Sequence, residues 1–380
     1  MRHLPAFLAL TCTLALGVPG AASGDPAAPG VTSRAKSTPS FNSTVWAIAF
    51  RGDIVYVGGS FTTATVGGRT VPRKKLAAYN ARTGSLLNWA PAADGTVRSL
   101  AVAGSAVYAA GDFDTISGLR RDSLARLDGV TGTVAPFAHS VSGEAATLAI
   151  GNGRVYVGGH FSKIDGAVRR NLAAFSHTTG RLDGTWRPAT DDRVKGLAVT
   201  RGRVYLGGGF HKVNGSNSAV RVAAVHPASG ALIKGFKAKA PATVLDVAVD
   251  GAGVYTATGG PGGRAVGYTT SGNIRWTHLF DGDVHTLTVM GGVTYVGGHF
   301  DRACKTTSTI VQLGCPAGYA SRVKLAALDG GGRLTGWNPH ANGKVGVHVL
   351  ATNSARRQIG AGGAFTRMGG AGRERFALFG

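Results

Sequence analysis

Glutamate is nearly missing from this 380-residue chain: it occurs twice, at Glu144 and Glu374, and acidic residues number 19 against 41 Lys and Arg. This argues against retaining or inverting hydrolysis with Glu acids. Cysteine is scarce as well, with only Cys12, Cys304 and Cys315, and these have no spacing partners of the kind a metal or redox site needs. The chain also lacks HExxH, GxSxG, a phosphate-binding loop and the Asp-box of sialidases, so the usual signatures of zinc proteases, α/β-hydrolases and nucleotide-binding proteins are not there. Its one long apolar run, Leu4 to Val18, is too short to cross a bilayer. Helical spacing of apolar residues hardly occurs.

What fills the space is glycine, 60 residues of it without a collagen period, and a repeated sentence. An apolar strand is followed by a strand of the type Val55-Tyr56-Val57-Gly58-Gly59-Ser60-Phe61. That strand recurs at Val107 to Phe113, Val155 to Phe161, Val204 to Phe210, Thr294 to Phe300 and Ile359 to Phe365, with a weakened copy from Val254 to Gly260. Next comes Leu76-Ala77-Ala78-Tyr79 or a relative such as Leu172-Ala173-Ala174-Phe175. A Thr-Gly or Ser-Gly turn follows, and an aromatic closes the unit at Trp89, Phe137, Trp186, Phe236, Trp276 or Trp337. Seven units of about four short strands predict an all-β fold, a single β-propeller of seven four-stranded blades spanning 41–380. The final unit stops at Phe376 to Gly380 without a fourth strand, and Phe41 is the expected N-terminal substitute that closes the ring. The stretch Gly259-Gly260-Pro261-Gly262-Gly263 reads as a turn.

Arg2 and His3, the apolar run and the small residues Ala21, Ala22 and Ser23 predict a signal peptide over 1–23, with a disordered linker at 24–40. No small residue precedes Cys12 in Ala9-Leu10-Thr11, which argues against a lipid anchor. The expected location is secreted or extracellular, with possible attachment to the cell wall. In an exported chain Cys304 and Cys315 are expected to form a disulfide. It would staple the one long insertion, Asp301 to Arg322, which should project beside the central opening.

The consensus Val-Tyr-Val-Gly-Gly-x-Phe, Leu-Ala-Ala-x, Thr-Gly-x-Leu-x-x-Trp resembles the delta-60 repeat, a β-propeller family of secreted bacterial proteins catalogued without a reaction. Leu76 to Trp89 also resembles the tryptophan-docking repeats of quinoprotein dehydrogenases. That second likeness would imply pyrroloquinoline quinone, a calcium ion and a vicinal disulfide. This chain has no adjacent cysteines, so no cofactor and no metal is expected.

A formal net charge of +22 concerns partners more than fold. Many cations recur between the second and third strands: Arg69, Arg73, Lys74 and Lys75; Arg120 and Arg121; Arg169 and Arg170; Arg221; Arg322 and Lys324; Arg373 and Arg375. Two readings stand: repeat cations that pair with neighbouring blades, or a positive face for an anionic cell-wall polymer or acidic polysaccharide. Specific nucleic-acid binding is not expected, because no stacking aromatics interleave these loops. A second candidate region is the channel mouth, formed by Trp46, Arg98, Lys195, Asp246 and His285, with Trp46 either packing or free for ligand stacking. His160 and His299 precede the repeat phenylalanine and are expected to lie at the surface or between blades. The sequence thus favours a monomeric, non-catalytic binding or scaffold propeller. The alternative is an extracellular polysaccharide lyase or hydrolase using Arg98 with His285 or Asp246 as base, or a degenerate quinoprotein-like enzyme.

Overall fold

The computed structural model describes residues 31–260 and 262–380, and within them the chain is all-β, with a single short 3-10 turn at Ser354–Arg356. The signal peptide expected over 1–23, with Cys12, and residues 24–30 of the expected linker lie outside the described residues.

Among the described residues seven antiparallel sheets of three or four strands follow one another along the chain, with four small peripheral sheets beside them. The first pairs Val45–Arg51, Ile54–Gly59 and Leu76–Asn80, with Ala47 opposite Gly58 and Tyr56 opposite Ala78. The other inner strands are Val97–Ala103, Val141–Gly151, Val194–Val199, Val244–Val249, Val284–Met290 and Val347–Asn353. Each packs against the next, and Val347–Asn353 also packs against Val45–Arg51 of the first sheet. The architecture is a β-propeller.

The repeated Gly-Gly is where the sheets meet. A Cβ on the first glycine would press into the valine that opens the next inner strand: 2.7 Å from Val97 for Gly58, 2.8 Å from Val194 for Gly158 and 2.6 Å from Val347 for Gly297. Gly362 stands in the same relation to Val45, at 2.5 Å, which joins the last sheet to the first. A Cβ on the second glycine would overlap backbone instead. At Gly59, Gly111, Gly159 and Gly208 the obstructing atom is the carbonyl oxygen of Thr44, Thr96, Glu144 and Arg193. Close backbone approach is the physical reason for glycine at both positions.

The expected fourth strand is shorter than the pattern implies. Four laddered strands occur in the fifth sheet, which ends in Ile274–Leu279. In five other sheets the outer segment makes one bridge, such as Tyr79 with Leu86 or Phe175 with Leu182, before leaving. The closing aromatics then tie sheet to sheet. The Trp89 indole donates to Asp128 O at 2.9 Å and that of Trp186 to His226 O at 3.1 Å, each in the following sheet. The repeat tyrosine packs edge-on against the same aromatic, as in Tyr56 with Trp89 and Tyr156 with Trp186, both at 5.0 Å. Such pairs add about 0.5–1.5 kcal/mol each beyond their burial.

The end of the ring corrects two expectations. Phe41 does not close the last sheet: it pairs with Ala64 in a small hairpin beside the first sheet. Residues 31–36 occupy the outer edge of the seventh sheet instead, so this part of the predicted linker is ordered. Lys36 N donates to Leu378 O at 2.8 Å, where Leu87 N donates to Ala78 O in the first sheet. The Trp337 indole finds Thr32 O at 3.1 Å, and Val31 is buried beside it. Phe41 lies too near Val45 in sequence to be the closing aromatic, because Asn42 already belongs to the connection between sheets. The Asn42 side-chain oxygen accepts from Thr62 N and Thr63 N. Asp94, Asp191, Asp281 and Asn342 do the same at later connections.

The insertion also lies elsewhere than expected. Cys304 and Cys315 are disulfide-bonded, with Cα atoms 5.3 Å apart. The stapled segment does not project beside the central opening. It lies along the outer strand of the fifth sheet, where Thr277 and Ser308 exchange two backbone hydrogen bonds. The fifth sheet turns through glycines where other sheets carry a peripheral hairpin, and the insertion from the sixth sheet covers the edge that would be free.

Candidate functional site

The hairpins between second and third strands and the openings of the inner strands lie at one face of the ring, since Val45 pairs with Gly59 and Val97 with Gly111. Both regions singled out in the sequence therefore belong to this face. Their cations have unequal roles.

Arg73, Arg121, Arg169, Arg322 and Arg373 form a repeated clamp. Nη1 donates to the carbonyl of the preceding residue, as from Arg73 to Pro72 O at 2.7 Å and from Arg169 to Val168 O at 2.8 Å. A second nitrogen reaches the outer segment: Arg73 to Leu87 O at 2.7 Å, Arg121 to Ala135 O at 3.0 Å, Arg169 to Asp183 O at 3.0 Å, Arg322 to Thr335 O at 3.0 Å and Arg373 to Lys36 O at 2.9 Å. The planar five-donor guanidinium suits this task, and the outer segment has carbonyls to spare because it leaves the ladder after one bridge. Burial lowers the pKa of Arg73, Arg169 and Arg322 below the ordinary arginine value.

Arg221, Lys324 and Arg375 share a different position, immediately before the third strand, with positive φ between 63° and 68°. Their backbone N–H groups donate to the carbonyls of Phe210, Phe300 and Phe365, the repeat phenylalanines. Their side chains turn back as well. Arg221 reaches Ala240 O at 3.2 Å, Lys324 reaches Asp301 Oδ1 at 2.7 Å, and Arg375 donates to Ala364 O. Eight of the eleven candidate ligand-binding cations are thus engaged by the protein itself. Lys74, Arg120 and Arg170 remain, exposed and with no side-chain partner among the described residues. Each adjoins one of the clamp arginines.

At the channel mouth Trp46 is covered on both sides. The His348 ring lies 4.1 Å away and the Arg98 guanidinium 5.6 Å away, while Nε1 donates to Ser60 Oγ at 3.0 Å. Trp46 is thus half-buried against residues of the mouth itself. Arg98 is held by Asp112 at 2.7 Å and Glu144 at 3.7 Å, and Glu144 also meets Arg193 at 3.1 Å, so an ion-pair chain crosses three sheets. Lys195 is exposed in the same region. His285 stacks on His348 at 5.1 Å, with Nδ1 3.2 Å from Val347 O. Burial brings His348 down to about 3, and His285 also titrates below the ordinary histidine value. His348, Glu144 and Arg193 were missed in the sequence. Aligning the second residue of all seven inner strands finds His348, whereas Glu144 and Arg193 lie outside the repeat consensus and carry no such signal.

Asp246 is half-buried, and its carboxylate is taken up by neighbouring strands. Its carboxylate accepts from Thr286 Oγ1 at 2.8 Å, Leu287 N at 3.1 Å and Val247 N at 2.8 Å, tying the fifth inner strand to the sixth. Arg98, Asp246 and His285 thus take separate partners, and the acid–base constellation of the enzyme alternative does not assemble. Desolvation raises the Asp246 carboxyl to about 6 despite these donors. A folded-state pKa above the unfolded value means the native state holds the proton more tightly, so the contribution is full below about pH 4 and lost as pH rises through about 6. Asp246→Asn should remove that dependence. Between pH 4.5 and 8 the stability of the natural protein, relative to the variant, should fall by about 2 kcal/mol in urea titrations. A constant difference would show that Asp246 does not titrate in this range.

A cleft of about 360 Å³, lined by His299, Asp301, Lys324, Asn342 and Lys344, opens between the sixth and seventh sheets. His299 faces this cleft, whereas the His160 side chain is exposed. Among the described residues no cluster of three His, Cys, Asp or Glu side chains is arranged to hold a metal ion.

The sequence matches no protein-family model and no curated protein. Solved structures do resemble the fold. The WD40 β-propeller domain of Doa1 aligns with a TM-score of 0.54 at 12% identity, covering 91% of this chain and 96% of that domain. The computationally designed Ika8 protein aligns with a TM-score of 0.50 at 14% identity, covering 90% of this chain and 97% of the design. At such identities the likeness concerns fold alone.

Proposed function

We propose that this chain is an exported, monomeric propeller of the delta-60 type, seven blades closed by residues 31–36, that binds an anionic extracellular polymer without catalysing a reaction. The carrying observation is the set of Lys74, Arg120 and Arg170. They are exposed cations on three consecutive sheets, without side-chain partners among the described residues, on a chain of formal net charge +22. The clamp arginines beside them fix the hairpins from which they project. This arrangement presents charge from a rigid surface and keeps the ordering cost of binding small. An acidic polysaccharide or anionic wall polymer carries the complementary charge, and such binding weakens steeply with salt.

Binding of polygalacturonate and dextran sulfate is to be measured from 50 to 300 mM NaCl (order-of-magnitude conditions for a Debye length near 10 Å). Replacing Lys74, Arg120 and Arg170 together by Ser should weaken affinity at the lowest salt by about 10-fold or more and flatten the salt dependence by two to three released ions (roughly one per cation). Arg121→Ser should instead lower stability. Equal binding by the triple variant and the natural protein would remove this face as the working surface.

A further inference from the structure

Seven large apolar side chains are exposed among the described residues, and three of them, Ile310 at 70%, Leu313 at 85% and Tyr319 at 38%, fall within the disulfide-stapled insertion. Single exposed apolar residues need no explanation, but a concentration of them on one insertion, with Ile310 and Leu313 inside the loop closed by Cys304 and Cys315, does.

The segment is held rigidly from beneath. Gln312, 5% exposed, donates through Nε2 to Thr306 O at 3.2 Å and Gly314 O at 3.1 Å. Its own carbonyl accepts from Arg264 Nε at 2.7 Å. The Ile310 carbonyl accepts from Thr277 Oγ1, and that of Ser308 from Thr277 N. The carbonyls of residues 306, 308, 310, 312 and 314 are therefore satisfied inside the protein, on the side opposite Ile310 and Leu313. Anchoring these carbonyls reduces the number of backbone groups left unpaired when the tip leaves water.

Charge completes the pattern. The insertion, Asp301 to Arg322, contains Arg302, Lys305 and Arg322 and one carboxylate, Asp301, which pairs with Lys324 at 2.7 Å. Lys305 is exposed, while the Arg302 guanidinium lies over the Tyr319 ring at 5.1 Å and is paired with Asp281 at 2.9 Å. An apolar tip with a tyrosine and cations behind it matches the layering of a bilayer surface, where acyl chains give way to an aromatic-rich interface and then to headgroups.

The geometry points to a peripheral membrane contact: the stapled insertion dips Ile310 and Leu313 into a lipid surface bearing anionic headgroups, with Lys305 at headgroup level. This site is separate from the cations of the hairpin face and uses a different chemistry, apolar burial. Charge complementarity selects lipid as the occupant over an apolar protein groove, because the exposed Lys305 is the cation of the insertion left without a side-chain partner among the described residues, while the insertion's one carboxylate, Asp301, is paired with Lys324.

Flotation of the full chain with vesicles of phosphatidylglycerol and phosphatidylcholine, beside pure phosphatidylcholine, tests the inference. The natural protein should float with the anionic vesicles. The double variant Ile310→Ser with Leu313→Ser should partition about 100-fold less, taking roughly 10-fold for each branched side chain that leaves water, while retaining its thermal midpoint and its binding to dextran sulfate. The Lys74, Arg120 and Arg170 triple variant should keep most of its vesicle binding. The inference falls if the double variant floats like the natural protein, if only the triple variant loses flotation, or if the natural protein does not bind anionic vesicles. Because dextran sulfate reports on the hairpin face and flotation of the double variant on the insertion, the two proposals can fail independently.

Discussion

Gly111→Ala should destabilise the protein by about 3–4 kcal/mol, the range in which adding atoms to a full space forces backbone to move. The added methyl would coincide with the carbonyl oxygen of Thr96 and lie 3.0 Å from Arg98 N and Val97 Cα. None of these is the far end of a flexible side chain, so relief requires the second strand to move away from the inner strand it pairs with. Gly111 has no positive φ, and the effect is therefore steric rather than a matter of backbone dihedrals. Gly202→Ala is the natural control, since nothing lies within 4 Å of its Cβ position and its φ is ordinary. That change should be neutral or stabilising by up to about 1 kcal/mol through the unfolded chain. Urea denaturation of both variants decides the matter. Equal stabilities would mean that the Gly-Gly repeat has some reason other than close approach.

Removing residues 1–36 should cost about 5–7 kcal/mol and make the protein prone to association. Val31 loses its burial, worth roughly 1.5–3 kcal/mol for a side chain of that class. Four hydrogen bonds go with it: Trp337 Nε1 to Thr32 O, Asn338 N to Ser33 Oγ, Lys36 N to Leu378 O and Arg373 Nε to Lys36 O. At about 1 kcal/mol each these bring the sum into the stated range. The outer edge of Phe376–Phe379 would then offer unpaired backbone groups to another chain. Thermal unfolding, tryptophan emission and sedimentation read the three consequences. Trp337, which packs on Phe379 at 5.3 Å, should shift its emission to longer wavelength. A peptide of residues 31–40 added back should restore part of the stability. A shortened chain that is as stable and as monomeric as the full one would refute closure by this segment.

Much of the architecture was legible because propellers repeat. The Val-Tyr-Val-Gly-Gly strand, the Leu-Ala-Ala strand and the turn after it recur often enough that local pattern and global fold agree. The errors lie where the repeat is interrupted. Phe41 was assigned by its aromatic character, yet the position is defined by Asn42, whose side chain caps the next connection as Asp94 and Asp191 do. Residues 31–36 contain no strand pattern, and their order comes from the edge they meet. The insertion was expected near the axis because that is where its sheet begins. It lies on the neighbouring sheet because Thr277 and Arg264 there offer it hydrogen bonds.

The candidate surface shows the same division. That cations recur before the third strand was visible in the sequence. That Arg121 grips Ala135 O while Arg120 beside it is free depends on which of the two faces the outer segment, and the order of residues alone does not contain this. Trp46 and His348 are about 300 residues apart, an approximate separation set by a ring in which the last sheet returns to the first; only that return covers the indole. The amino-acid sequence by itself determined the strand repeat, the need for glycine between sheets and the excess of positive charge, because each arises from local sterics or composition. Only the tertiary structure decided which cations the fold consumes, which remain free and where the stapled insertion lies, because those outcomes depend on carbonyls and edges contributed by distant parts of the chain.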